Sequence, residues 1–185
     1  MRVTEKQYEQ FALEHPDEKW ELHCGHLREK PAMTIEHNWA ARRLARQLSR
    51  QLDENEYDIV VDQARVRRSA SRVYIPDLFV VPMEYIRRAF SERPRRLEAY
   101  REPLPLVVEI WSPSTGQYDV DSKLPEYQRR GDIEIWRIHP YERTLIAWRR
   151  QPDGSYTETV FTAGTVELVG LPGVAIELAP LFELG

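Results

Sequence analysis

The sequence predicts one α/β domain: a mixed β-sheet flanked by helices, with antiparallel hairpins at both ends. Three observations lead there. Between Glu36 and Leu52 the apolar positions Ala40, Ala41, Leu44, Ala45, Leu48 and Leu52 recur at spacings of three and four, the mark of an amphipathic helix with arginines outside. Short apolar runs of strand length recur along the chain, and one of them, Leu104 to Trp111, is apolar apart from Pro105 and Glu109, as a strand covered on both faces should be. The length of 185 residues suits a single hydrophobic core.

Taken in order, Thr4 and Gln7 form a capping-box signature that predicts a short helix over Tyr8 to Leu13, ended near Pro16. This helix, within residues 1–18, precedes a core expected over 19–185. Trp20 to His23 and His26 to Glu29 read as a hairpin about Cys24-Gly25, because a tight turn needs a residue that tolerates positive φ. After the long helix come strand-like pieces at Asp58 to Val61, Ala64 to Val66 and Val73 to Val81. Arg87 to Glu102, charged and containing Pro94, reads as an irregular excursion with a helical turn or two. A second helix is expected from Ser122 to Arg130, stopped by Gly131, with Pro125 in its first turn. Ile133 to Ile138, Thr144 to Trp148 and Tyr156 to Phe161 follow as strands, the last two joined by Pro152-Asp153-Gly154. Val166 to Leu168, Val174 to Leu178 and a closing turn at Pro180 to Phe182 complete the chain.

Composition narrows the class. Hydrophobic residues make up 42% and charged residues 30%, which fits a folding chain and excludes a disordered one. Cys24 is the lone cysteine, so an internal disulfide is impossible and a reducing cytosol is expected. Met1 to Gln7 has no signal-peptide pattern, and no apolar run approaches the ~18 residues that span a bilayer, so no membrane attachment is expected. A formal net charge of −4 argues against non-specific coating of nucleic acid, although arginines cluster at Arg42, Arg43, Arg46 and Arg50 and again from Arg87 to Arg101. Such runs are commonly solvated faces.

The informative residues are two acids in apolar surroundings, Asp77 before Leu78-Phe79-Val80-Val81 and Glu109 within Val107-Val108-Glu109-Ile110-Trp111. An unpaired buried carboxylate costs several kcal/mol or takes up a proton, so such residues are paired or bound to a cation. If the two strands are neighbours, both acids point to one spot, where Mg²⁺ would relieve their repulsion while keeping several waters. Lys123, placed in the first turn of a helix capped by Ser122, is disfavoured by the helix dipole unless it faces an anion. Taken singly, each has a blander reading: a turn acid after Pro76, a strand-end ion pair, a solvated lysine.

Several blocks resemble the Uma family of restriction-endonuclease-like proteins, within the PD-(D/E)XK nuclease superfamily. They are Pro76-Asp77-Leu78-Phe79-Val80-Val81; Val107 through Glu109-Ile110-Trp111 to Ser112-Pro113-Ser114-Thr115; and Lys123 with Tyr127, Gly131, Ile135-Trp136 and His139-Pro140. Trp20-Glu21-Leu22 with Gly25, Glu36-His37, and Leu171-Pro172-Gly173-Val174 extend the likeness from about Trp20 to the end. The resemblance implies a restriction-endonuclease-like fold and a Mg²⁺-dependent (Mn²⁺ as substitute) cleavage of DNA. Asp77 and Glu109 would be metal ligands with the Ile110 carbonyl as a third, Glu21 an auxiliary ligand, and Lys123 the displaced catalytic lysine. Arg42, Arg43 and Arg46 would hold the nucleic-acid backbone. A homodimer would follow from the need to cut two strands.

There are departures. Trp111 stands where the superfamily usually has its lysine, and His26 and His139 stand where acids are expected. A missing lysine beside Glu109 also suits a second class, a non-catalytic interaction module that retains the fold. His23, Cys24 and His26 suggest zinc only weakly, because no second ligand pair exists and neighbouring strand residues face opposite ways. His37 reads as a packing or capping residue near the site end of its helix. No Gly-rich phosphate loop occurs, which leaves nucleotide-dependent classes unsupported.

Overall fold

A computed structural model of the chain describes residues 2–183. Helix α1 (Glu5–Glu14) begins with reciprocal bonds between Thr4 and Gln7, which satisfy donors that a helix start leaves unpaired. Strands β1 (Trp20–His23) and β2 (His26–Glu29) form a hairpin whose turn residues, Cys24 at φ 51° and Gly25 at φ 81°, are both left-handed. That is the requirement of the two-residue turn whose twist matches its strands. Helix α2 (Ile35–Ser49) is capped by Thr34 and buries Ala40, Ala41, Leu44 and Leu48, the face read from the sequence.

Strands β3 (Tyr57–Val61), β4 (Arg65–Ser69), β5 (Arg72–Tyr74) and β6 (Leu78–Pro82) lead to helix α3 (Met83–Glu92), then β7 (Ala99–Tyr100) and β8 (Leu106–Ile110). A helical run follows in three parts: α4 (Gly116–Tyr118), a π-helical turn (Asp119–Lys123) and α5 (Leu124–Arg130). It ends at Gly131, φ 83°, the left-handed cap that glycine adopts freely. Strands β9 (Glu134–His139), β10 (Thr144–Arg150), β11 (Tyr156–Phe161), β12 (Thr165–Glu167) and β13 (Ala175–Glu177) precede helix α6 (Ala179–Phe182).

The main sheet has six strands in the order β11-β10-β9-β8-β6-β3. All its pairs are antiparallel except β8 with β9, which the helical run connects as a crossover. A second sheet of five strands, β2-β1-β5-β4-β7, lies against one face, and β12 pairs with β13 alone. The fold is therefore mixed α/β, as expected.

Period-two alternation sorts the main sheet's side chains. Leu78, Val80, Leu106 and Val108 join Leu44 and Leu48 of α2 and Val166 and Ile176 of the carboxyl end. Phe79, Val81, Val107 and Ile135 join Tyr74 and Tyr100 of the second sheet and Tyr127 of α5. Asp77 and Glu109 have the parity of this second group, so both carboxylates project between the two sheets.

Three expectations need correction. Val73 to Val81 is not one strand: the chain leaves the second sheet after Tyr74 and enters the main sheet at Leu78, and Pro76, which cannot donate to a ladder, sits in the break. Arg87 to Glu102 is not irregular throughout, because α3 runs to Glu92 and Ala99–Tyr100 pairs with β4; Pro94 lies just beyond the helix end, not within it. The second helix starts at Gly116 instead of Ser122. Removing a fully buried side chain of α2, as Leu44→Ala, should cost about 2–5 kcal/mol in a urea-denaturation measurement.

Candidate active site

The β6–β8 register pairs Leu78 with Val108 and Phe79 with Val107, so one step further Asp77 faces Glu109 across the strands. Both are buried, 2% and 5% exposed. The Ile110 amide donates to Asp77 Oδ2 at 2.6 Å, and Lys30 Nζ donates to Oδ1 at 2.7 Å. His37 Nε2 lies 3.0 Å from Oδ2, but outside hydrogen-bond geometry, so the contact is one of charge when the ring is protonated. Burial alone would raise the Asp77 pKa; Lys30 and His37 overrule it and hold the carboxyl well below the usual range.

Glu109 is placed differently. Its Oε1 accepts from the Tyr127 hydroxyl, and its carboxylate lies 3.3 Å from Lys123 Nζ. Burial, opposed by Lys123 but reinforced by the Asp119 and Asp77 carboxylates, pushes its pKa well above the ordinary value. Lys123 Nζ also lies 2.9 Å from Glu21 Oε1 and 3.3 Å from Asp119 Oδ1. Burial works against its charge, yet Glu109, Glu21 and Asp119 outweigh it and raise its pKa.

Lys123 reaches these acids from the π-turn, not from a first turn capped by Ser122. Pro125 has no N–H and its ring would strike the carbonyl four residues back, so the helix widens there: the Leu124 amide bonds the Asp119 carbonyl, five residues back. The widened turn carries Asp119 and Lys123, both buried. Lys123 therefore does not sit at a helix N-terminus, and the helix dipole does not set its charge. Trp111, beyond the end of β8, stacks on His139 at 4.3 Å between ring centroids. A Cβ at Gly116 would come within 2.0 Å of the Trp111 indole, so only glycine lets the helical run start against that ring.

The structure brings Asp77, Glu109, Lys123 and Glu21 together. Glu21 is engaged by Lys123 and by the Ile75 amide, at 2.8 Å. Ile110 enters through its amide. Arg42 and Arg46 are exposed on α2, whereas Arg43 is half-buried and donates to the Pro180 carbonyl at 3.2 Å. His23 bonds the Tyr74 hydroxyl at 2.9 Å and His26 is exposed. Arg88, Arg96 and Arg101 of the second arginine run pair with Glu102, Glu9 and Glu5.

Sequence reasoning missed Lys30, Asp62 and Asp119. Asp119 had a signal, since it stands four residues before Lys123, on the same helical face. Lys30, next to Pro31 at a strand end, had none. Among the described residues no three His, Cys, Asp or Glu side chains are disposed as a ready metal cage. The donor chemistry nonetheless fits a hard divalent ion: carboxylate oxygens throughout, with the buried Asp119 Oδ1 lacking a hydrogen-bond partner. Mg²⁺ commonly takes only one or two protein carboxylates.

The six-stranded mixed sheet with this crossover is shared with a solved structure: a chain from Anabaena variabilis, described as a "putative nuclease", superposes with a TM-score of 0.74 at 19% identity over 97% of each chain. The chain belongs to the Uma2 family, described as "Putative restriction endonuclease", whose model matches residues 5–180. No curated protein matches. No helix among the described residues is long and apolar enough to cross a membrane.

A folded-state pKa below the unfolded one means that ionised Asp77 adds stability above about pH 4, and that this declines as pH falls further. The wild-type melting temperature should therefore fall more steeply than that of Asp77→Asn between about pH 5 and 3, read by scanning fluorimetry with chelator present. Parallel curves would contradict the assignment.

Proposed function

We propose that the chain is a metal-dependent endonuclease hydrolysing DNA phosphodiester bonds, with Mg²⁺ as its ion and Mn²⁺ able to replace it. The observation that carries this reading is the facing pair Asp77 and Glu109, buried on one face of the sheet with the Lys123 ammonium beside Glu109. Restriction-endonuclease-like proteins generally use divalent ions. Held by these acids, such an ion would supply a Lewis acid and lower the pKa of a bound water.

The chain's own residues do the rest. Asp77 and Glu109 would hold the ion, with the Ile110 amide fixing one carboxylate and the Tyr127 hydroxyl the other. Lys123 keeps a positive charge where negative charge builds on the phosphoryl oxygens, a contribution that grows when water is excluded. Glu21, 2.9 Å from that ammonium, orients it. Arg42 and Arg46, exposed on α2, grip backbone phosphates without reading sequence. We place the activity in the cytosol, on the strength of the lone cysteine, and expect two copies to act together on duplex DNA.

Nicking of supercoiled plasmid with Mg²⁺ or Mn²⁺ tests this. Asp77→Asn and Lys123→Ala should each lower the rate by about 100-fold or more, with far-UV circular dichroism confirming that both fold. Cleavage that ignores both substitutions comes from a contaminant. A wild type that binds DNA without cutting it, whatever the ion, is the interaction module that Trp111 in place of a lysine would suit.

A further inference from the structure

The roles above leave Lys30 unused, although it is as deeply placed as the acids: its side chain is 3% exposed. Its Nζ lies 2.7 Å from Asp77 Oδ1, 2.7 Å from Asp62 Oδ1 and 3.0 Å from the Ile75 carbonyl oxygen. Three ammonium protons thus meet three oxygens. Asp62 is held for this contact by a left-handed backbone, φ 51°, and by its amide, which donates to the Asp77 carbonyl at 3.1 Å. Its side chain, 28% exposed, also pairs with Lys19 and marks the solvent edge of the cluster.

Two carboxylates and a backbone carbonyl around one cation are the donor set of a hard divalent ion. Here an ammonium fills it. On the other side of the site, Lys123 meets Glu21, Glu109 and Asp119. We propose that Lys30 is a resident cation standing in for a second divalent ion on the Asp62–Asp77 side, so that the centre binds one metal ion and not two. This rests on the metal-dependent reading above and deepens it. Being tethered, the ammonium needs no recruitment, and an incoming ion would have to expel a buried charge whose partners are already satisfied. An ammonium carries no exchangeable water to activate, so Lys30 is a positioning residue that neutralises Asp77 and fixes its Oδ1.

Titration of the full chain with Mn²⁺, followed through the electron paramagnetic resonance signal of the free ion, counts bound ions. The wild type should bind one per chain, Lys30→Met two, and Lys30→Met with Asp62→Asn one again. Two ions on the wild type, or one on Lys30→Met at unchanged affinity, overturns the role of Lys30 and leaves the nuclease reading standing. No binding by the wild type sinks the metal-dependent reading, and the inference with it. Should Lys30→Met fail to fold by circular dichroism, Lys30→Gln replaces it, keeping amide protons toward Asp62 and Asp77 without the charge.

Discussion

Two like charges face each other between two apolar sheets, and the molecule resolves the conflict unevenly. Asp77 and Glu109 occupy neighbouring positions across β6 and β8, where water cannot screen them. The Ile110 amide, Lys30 and His37 converge on Asp77 and lower its pKa, while burial and the neighbouring acids raise that of Glu109. Paired titratable groups whose surroundings push them apart are a recurrent feature of reactive centres. Remove the cations, and the burial of both acids becomes untenable.

That constraint explains why so many elements meet here. Glu21 comes from β1, Lys30 from beyond β2, His37 from the first turn of α2, and Asp119, Lys123 and Tyr127 from the helical crossover. The second sheet is what closes the site, and Pro76 permits it by sending one continuous segment from that sheet into the main one. The widened helical turn has a similar cause, for Pro125 forbids regular bonding where Asp119 and Lys123 must both point inward.

Other buried charges in the chain show the contrast. Arg130 is bound to Asp132 and to the carbonyls of Arg67, Tyr100 and Glu102, and Glu134 is bound to Arg149, the Trp136 indole and the amides of Val169 and Gly170. Each of these pins several segments with its bonding capacity filled. Around Asp77 the acids accumulate instead, which is a poor way to gain stability and a good way to hold a cation.

The helices α1 and α2, the first hairpin and the later strands were legible because local rules govern them: a capping box at Thr4, three-four spacing from Ala40 to Leu48, and positive φ at Gly25. Asp77 and Glu109 were legible as well, since a carboxylate in an apolar strand demands a partner wherever it lies. Which partner depends on contacts between residues far apart in sequence. Lys30 meets Asp77 across 47 positions and no local pattern encodes that meeting, whereas Lys123, 14 positions from Glu109, was placed with the acids through the family resemblance. The break at Pro76, the π-turn at Asp119–Lys123 and the choice of ammonium groups as counter-charges were decided by packing one sheet on another, because burial is a property of the assembled layers and not of any single segment.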